Sequence, residues 1–189
     1  MNSFNFINTD FEGARIIEPF YSTDNRGFFS KVYENDVFSE NGINLIPYEE
    51  FFSFSKKGVI RGMHFQRKNC QDKLVQVLNG AIYDVIVDLR KNSDTYGKWQ
   101  GFFLNKENRK LIYIPKGFAH GFLSLENETL VNYICGSKYD YKTDDGILWN
   151  DETIGIEWPL GKIDEIIISE RDSNLQKFNQ FKEKYGSLI

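Results

Sequence analysis

An Asn-Gly dipeptide at Asn79-Gly80 separates two strand-like runs, Lys73 to Leu78 and Ala81 to Leu89. Both residues of a tight two-residue turn must tolerate positive φ, and Asn-Gly does so at little cost. The pattern therefore predicts a β-hairpin at this point. Within the second run Tyr83, Val85, Val87 and Leu89 share one face, and Ile82, Asp84, Ile86 and Asp88 share the other. Two acids beside two isoleucines mean either a partly solvated face or an acid such as Asp84 buried against a partner. Leu111 to Ile114, Pro115-Lys116-Gly117 and Phe118 to Leu123 repeat strand, turn and strand, and Leu130 to Cys135 reads as a further strand. Strands joined by short turns, with no helical pattern between them, predict an all-β sandwich or barrel. The one clear helix signal is the tail, where Leu175, Phe178, Phe181 and Tyr185 recur at helical spacing after Asp172 or Ser173 as a cap. That apolar stripe is expected to pack on the barrel.

A chain of 189 residues without repeats or linker-like stretches reads as one domain over 1–189. Its barrel core spans about 16–172, with a helical tail over about 173–189. A net charge of −4 leaves no basic footprint for nucleic acid, so an anionic ligand needs arginines and lysines gathered inside a pocket. Cys70 and Cys135 have no metal-ligand spacing and suit a reducing cytoplasm. The opening Met1-Asn2-Ser3-Phe4-Asn5 lacks the basic and apolar regions of a secretion signal, and no stretch has the length of a membrane span.

His64 and His120 are the only histidines, and either one taken alone reads more readily as a hydrogen-bonded core histidine than as a catalytic one. A metal site needs three or four ligands, yet Gln66 stands two positions after His64 and there is no third histidine, so no metal is expected. No nucleophile elbow and no phosphate-cradling glycine loop is present. Histidines, Lys73 and strand tyrosines suit proton transfer at carbon, which requires a base, a cation for an enolate and a phenol to return a proton. In an extended segment Arg61 and His64 fall on opposite faces, unless a turn at Gly62 reunites them.

The stretches Arg26-Gly27-Phe28-Phe29, Arg61 to Gln66, Lys73-Leu74-Val75, Asp88-Leu89-Arg90 and Ile114 to Phe122 resemble, in order, the dTDP-4-dehydrorhamnose 3,5-epimerases. So do Trp149-Asn150-Asp151, Gly155 to Pro159 and Ser169 to Asp172, and the likeness runs from about Ile16 to Asp172. The resemblance implies a cupin-type jelly-roll barrel with no metal or cofactor, assembled as a homodimer and acting on a nucleoside diphosphate-4-keto-6-deoxyhexose. It places the base on His64, its supporting acid on Asp172, the enolate cation on Lys73 and the reprotonating phenol on Tyr133. It places His120 and Tyr139 along the sugar pocket and Arg26 and Arg61 near the diphosphate or sugar. Asp84 is a candidate partner for His120 by our reading of the strand, against a simple buried acid.

The chain departs from the family pattern at positions around the nucleotide and the pocket rim. Lys31 follows Phe29 where a glutamate is usual, and Glu49-Glu50-Phe51 replaces Gln-x-Asn. Asp144 stands for a glutamate and Arg171 for a lysine. Glu for Gln removes a donor, and Phe for Asn removes both donor and acceptor. The carrier therefore stays open between dTDP, CDP and GDP, and the sugar between a 6-deoxyhexose and a heptose. A C3-only epimerase, a ketoisomerase or a sugar-binding barrel are the alternative readings.

Overall fold

The computed structural model describes residues 4–189, so Met1 to Ser3 of the opening stretch lie outside the described residues. In chain order the elements are β1 (Asn5–Asn8), β2 (Arg15–Glu18), β3 (Phe20–Asp24), β4 (Gly27–Lys31), α1 (Asn35–Glu40), β5 (Glu49–Ser55) and β6 (Ile60–Gln66). There follow β7 (Lys73–Asn79), β8 (Ala81–Asp88), β9 (Trp99–Asn105), β10 (Leu111–Ile114), β11 (Phe118–Ser124), β12 (Thr129–Cys135) and β13 (Asp144–Gly146). Two short helices, α2 (Glu170–Ser173) and α3 (Phe178–Tyr185), close the chain.

The strands form two antiparallel sheets, ordered β1-β2-β10-β7-β12-β5 and β13-β6-β11-β8-β9, beside a separate β3-β4 ribbon. From β5 to β12 the chain changes sheet at every connection except β8 to β9, the wiring of a jelly roll. The all-β, cupin-like jelly-roll expectation holds.

The hairpin expected at Asn79-Gly80 does not form. β7 pairs with β10 and β12, whereas β8 pairs with β11 and β9, so this turn is a corner between sheets. Only Gly80 takes a positive φ, at 78°, and Asn79 ends β7 with its side chain donating to the Glu128 carbonyl. A primed turn needs both residues at positive φ, so the local signal was real at Gly80 alone.

Strand alternation sends apolar side chains to both faces of each sheet. Between the sheets Val75, Val77, Ile82, Ile86, Ile112, Phe122 and Val131 pack as one core. On the outer face of the five-stranded sheet Val85, Val87 and Leu89 pack beneath Phe178 and Phe181 of α3. On the outer face of the other sheet Ile17, Leu74 and Leu111 pack against Phe38 of α1 with Ile43 and Leu45. The tail stripe thus packs on the barrel as expected, but its cap does not. Asp172 and Ser173 belong to α2, and α3 opens at Phe178 with the Lys177 N–H donating to Gln180 Oε1 at 2.8 Å. The Asp172 carboxylate is engaged elsewhere, as the site geometry shows. Among the described residues no helix is long and apolar enough to cross a membrane.

Candidate active site

His64 lies on β6 and His120 on β11, directly opposite one another across the two antiparallel strands. Just beyond that pair the register shifts: His120 faces His64, but Phe122 faces Arg61. The extra residue is carried by β6, and such a bulge reverses the side-chain alternation. Arg61 and His64 consequently line the same cavities. Gly62 makes this possible. Its φ is +122°, and a Cβ there would lie 2.5 Å from the Gly121 Cα.

The carboxylate of Asp172, presented by α2, reaches this bulge. Its Oδ1 lies 2.7 Å from His64 Nε2, and its Oδ2 accepts the Gly62 N–H at 3.1 Å. Ser169 caps α2 by accepting the Asp172 N–H, which fixes where the carboxylate points. Burial acts to raise the Asp172 carboxyl, but the hydrogen bond and charge of His64, then the Gly62 N–H, outweigh it and hold the group below its ordinary value. The second histidine has its own acid. His120 Nε2 lies 2.7 Å from Asp84 Oδ2, and both side chains are buried. The acid noted on the isoleucine face of β8 is therefore buried against a partner.

Tyr133, on β12, lies under the same cavity with its ring edge-on to His120, 6.0 Å between centroids. Burial raises its phenol well above the ordinary value, so it stays protonated at neutral pH. Lys73, at the start of β7, lines the cavity beside it. Among the described residues no carboxylate lies within ion-pair distance of the Lys73 ammonium. The adjoining space, about 400 Å³, is bounded by Phe51, His64, Gln71, Lys73, Tyr139, Asp144 and Arg171, a volume suited to a small-molecule ligand. Tyr139 donates its hydroxyl to Asp144 at 2.8 Å, and Arg171 pairs with the same carboxylate at 2.8 Å. Glu49 accepts the Tyr139 backbone N–H, and Arg61 donates to Ser55 Oγ and to the Phe54 carbonyl.

Eleven of the expected site residues therefore gather around one opening: His64, Asp172, Lys73, Tyr133, Glu49, Phe51, Arg61, His120, Tyr139, Asp144 and Arg171. Arg26, Phe29 and Lys31 do not join them within one chain. They sit on the β3-β4 ribbon, where Arg26 pairs with Asp24, Lys31 pairs with Glu34, and Phe29 is exposed. Sequence reasoning missed Gln71 and Ser53. Ser53 lies on the same face of β5 as Phe51, so period-two alternation was the available signal, and its buried hydroxyl lies beside the Tyr133 phenol. Among the described residues no three His, Cys, Asp or Glu side chains are grouped to hold a metal ion.

Known proteins share both the sequence and the fold. The family model for dTDP-4-dehydrorhamnose 3,5-epimerase matches residues 8–180. The chain belongs to the dTDP-4-dehydrorhamnose 3,5-epimerase family. The enzyme of that name from Methanothermobacter thermautotrophicus is 52% identical over 92% of this chain and 94% of its own. The crystal structure of dTDP-6-deoxy-D-glucose-3,5-epimerase from Legionella pneumophila, in complex with dTDP-4-keto-L-rhamnose, superposes with a TM-score of 0.92. It is 38% identical and covers 97% of both chains. A 3'-monoepimerase from Streptomyces bikiniensis, in complex with dTDP-quinovose, shares the fold at a TM-score of 0.87 and 27% identity, over 94% of this chain and 89% of that one. The family's members of this name are isomerases, and this chain is an isomerase of the same kind.

Proposed function

We propose that this epimerase inverts C3 and C5 of a dTDP-linked 4-keto-6-deoxyhexose, with His64 as the base and Tyr133 as the acid on the opposite face. The His64–Asp172 contact at 2.7 Å, opening into a cavity that also holds Lys73 and Tyr133, carries this reading. The 4-keto group acidifies the hydrogens on C3 and C5. With its Nε2–H given to Asp172, the neutral His64 ring has its lone pair on Nδ1, and the carboxylate stabilises the imidazolium formed when that lone pair takes a proton. The C–H electron pair moves to the C4 oxygen, where the Lys73 ammonium meets a charge that exists only as the enolate develops. Tyr133 then delivers its hydroxyl proton to carbon from the other side, and exchange with solvent restores both groups. His120, held by Asp84, and Arg61 line the sugar end. Tyr139 lies between that end and Asp144 and Arg171, which line the side where the nucleotide is expected.

The homodimer belongs to the same proposal. Arg26, Phe29 and Lys31 stand away from their own chain's cavity, on a ribbon whose Phe28 and Phe29 are exposed. β5 is an edge strand with Phe52 and Phe54 exposed on its outer side. A second copy lets the ribbon of one chain reach the cavity of the other and covers these side chains. We place the enzyme in a reducing cytoplasm, in keeping with two buried, unpaired cysteines.

Incubation of the enzyme with dTDP-4-keto-6-deoxyglucose in D2O tests the assignment. Deuterium is expected at both C3 and C5, with inversion at each. Exchange at C3 alone reduces the activity to a monoepimerase, and exchange at neither carbon rejects the substrate.

A further inference from the structure

One residue in the cavity is neither polar nor a family feature, and it touches the group assigned to return the proton. Phe51 of β5 is paired directly opposite Tyr133 of β12. Their rings stack with centroids 4.8 Å apart and planes 15° from parallel. The far side of Phe51 is open to the cavity, since the residue is 45% exposed whereas Tyr133 is 6% exposed. Phe51 bounds both the histidine-lined compartment and the larger space beside it. The Tyr133 ring is thus held on one face by Phe51 and at an edge contact by His120, which Asp84 anchors in turn. Ser53 is the hydroxyl nearest the phenol, a polar contact at its tip, whereas Phe51 bears on the ring itself.

We propose that Phe51 is a positioning residue for Tyr133, fixing the phenol so that a proton taken by His64 is replaced from the opposite face. This rests on the reading of His64 and Tyr133 as the base and acid. The enolate has two fates. Return of a proton from the His64 side restores the starting configuration and leaves only solvent exchange as a trace. Delivery from Tyr133 inverts the carbon. A Tyr133 ring that loses its stacked neighbour gains rotational freedom and water on its face, so its share of reprotonations falls while abstraction by His64 continues. The ratio of inverted product to total solvent-exchanged sugar reads that share. Being internal to each sample, it does not depend on how much of a variant is folded.

The test is a D2O time course with dTDP-4-keto-6-deoxyglucose, scoring deuterium content and configuration at C3 and C5 by NMR for wild type, Phe51→Ala, Phe51→Leu, Phe51→Tyr and Phe51→Trp. Tyr133→Phe sets the limit of exchange without inversion. An aromatic pair of this kind corresponds to about a fivefold bias, so the inversion-to-exchange ratio is expected to fall about fivefold in Phe51→Ala and Phe51→Leu. Phe51→Tyr or Phe51→Trp is expected to restore it. A ratio equal to wild type in Phe51→Ala, with exchange and inversion slowed together, overturns the inference and confines Phe51 to binding or packing. Absence of exchange at both carbons in the wild-type enzyme rejects the substrate, whereas inversion that survives in Tyr133→Phe rejects the base and acid reading, and this inference with it.

Discussion

At His64 a single carboxylate serves two partners: Asp172 takes the imidazole through Oδ1 and the Gly62 N–H through Oδ2. The same group therefore orients the base and pins the backbone that displays it. Asp172→Asn retains the size but loses the charge that supports an imidazolium, and kcat for epimerisation is expected to fall on the order of 10²-fold, measured by steady-state product formation. The carboxyl is held below its ordinary aspartate value of 3.8 in the folded protein. Its contribution to stability is thus fully present above that value and is lost as pH falls through the folded value. Urea midpoints for wild type and Asp172→Asn, compared at neutral pH and at about pH 3, are expected to differ more at neutral pH than in acid. Much of this residue scale was legible. The strand face left Asp84 either partly solvated or buried against a partner, and the His120 pairing, one of the readings for it, is present at 2.7 Å. The Phe51–Tyr133 stack was not legible, because it depends on cross-strand register that neither strand encodes alone.

Among the elements, β6 shows how one glycine changes what a strand can display. Simple alternation separates Arg61 from His64, and the bulge opposite His120 and Phe122 reunites them. Gly62 was recognised as the residue able to do so, but the close approach of Gly121 is a tertiary fact. Gly62→Ala combines a left-handed φ with a Cβ 2.5 Å from that backbone. It is expected to destabilise the fold by about 1–3 kcal/mol by urea unfolding, and to slow epimerisation more than that loss of folded protein explains. The Asn79-Gly80 corner teaches the converse. Two adjacent strand runs and a turn dipeptide are shared by hairpins and by sheet-to-sheet corners, and only the partners of β7 and β8 distinguish them. The tail helix was read from spacing that places Phe178 and Phe181 inward, and Phe181 is fully buried against Phe65. Phe181→Ala is expected to cost about 3–5 kcal/mol, seen as a lower urea midpoint. α1 escaped notice because its six residues are too few to show a helical period.

For the whole molecule, fold class was legible because strand alternation and short connections recur along the chain, whereas the sheet order is set by distant partners. The distribution of the expected site residues is the larger-scale finding: ten line adjoining cavities around His64, Glu49 bonds to Tyr139 beside them, and Arg26, Phe29 and Lys31 stand apart on the ribbon. If a dimer unites them, mixing inactive Arg26→Ala with inactive His64→Asn under conditions of subunit exchange is expected to restore about a quarter of wild-type activity. Half of the dimers are then mixed, and each mixed dimer holds one intact site. No recovery on mixing, with each variant still dimeric by sedimentation, contradicts a shared site.

The central claim is that His64 is the base, and exchange of the C3 and C5 hydrogens with solvent measures it apart from product release. With dTDP-4-keto-6-deoxyglucose in D2O, His64→Asn is expected to incorporate deuterium at both carbons at least about 10²-fold more slowly than wild type, with an unchanged circular dichroism spectrum. Deuterium incorporation by folded His64→Asn within tenfold of the wild-type rate would contradict the account.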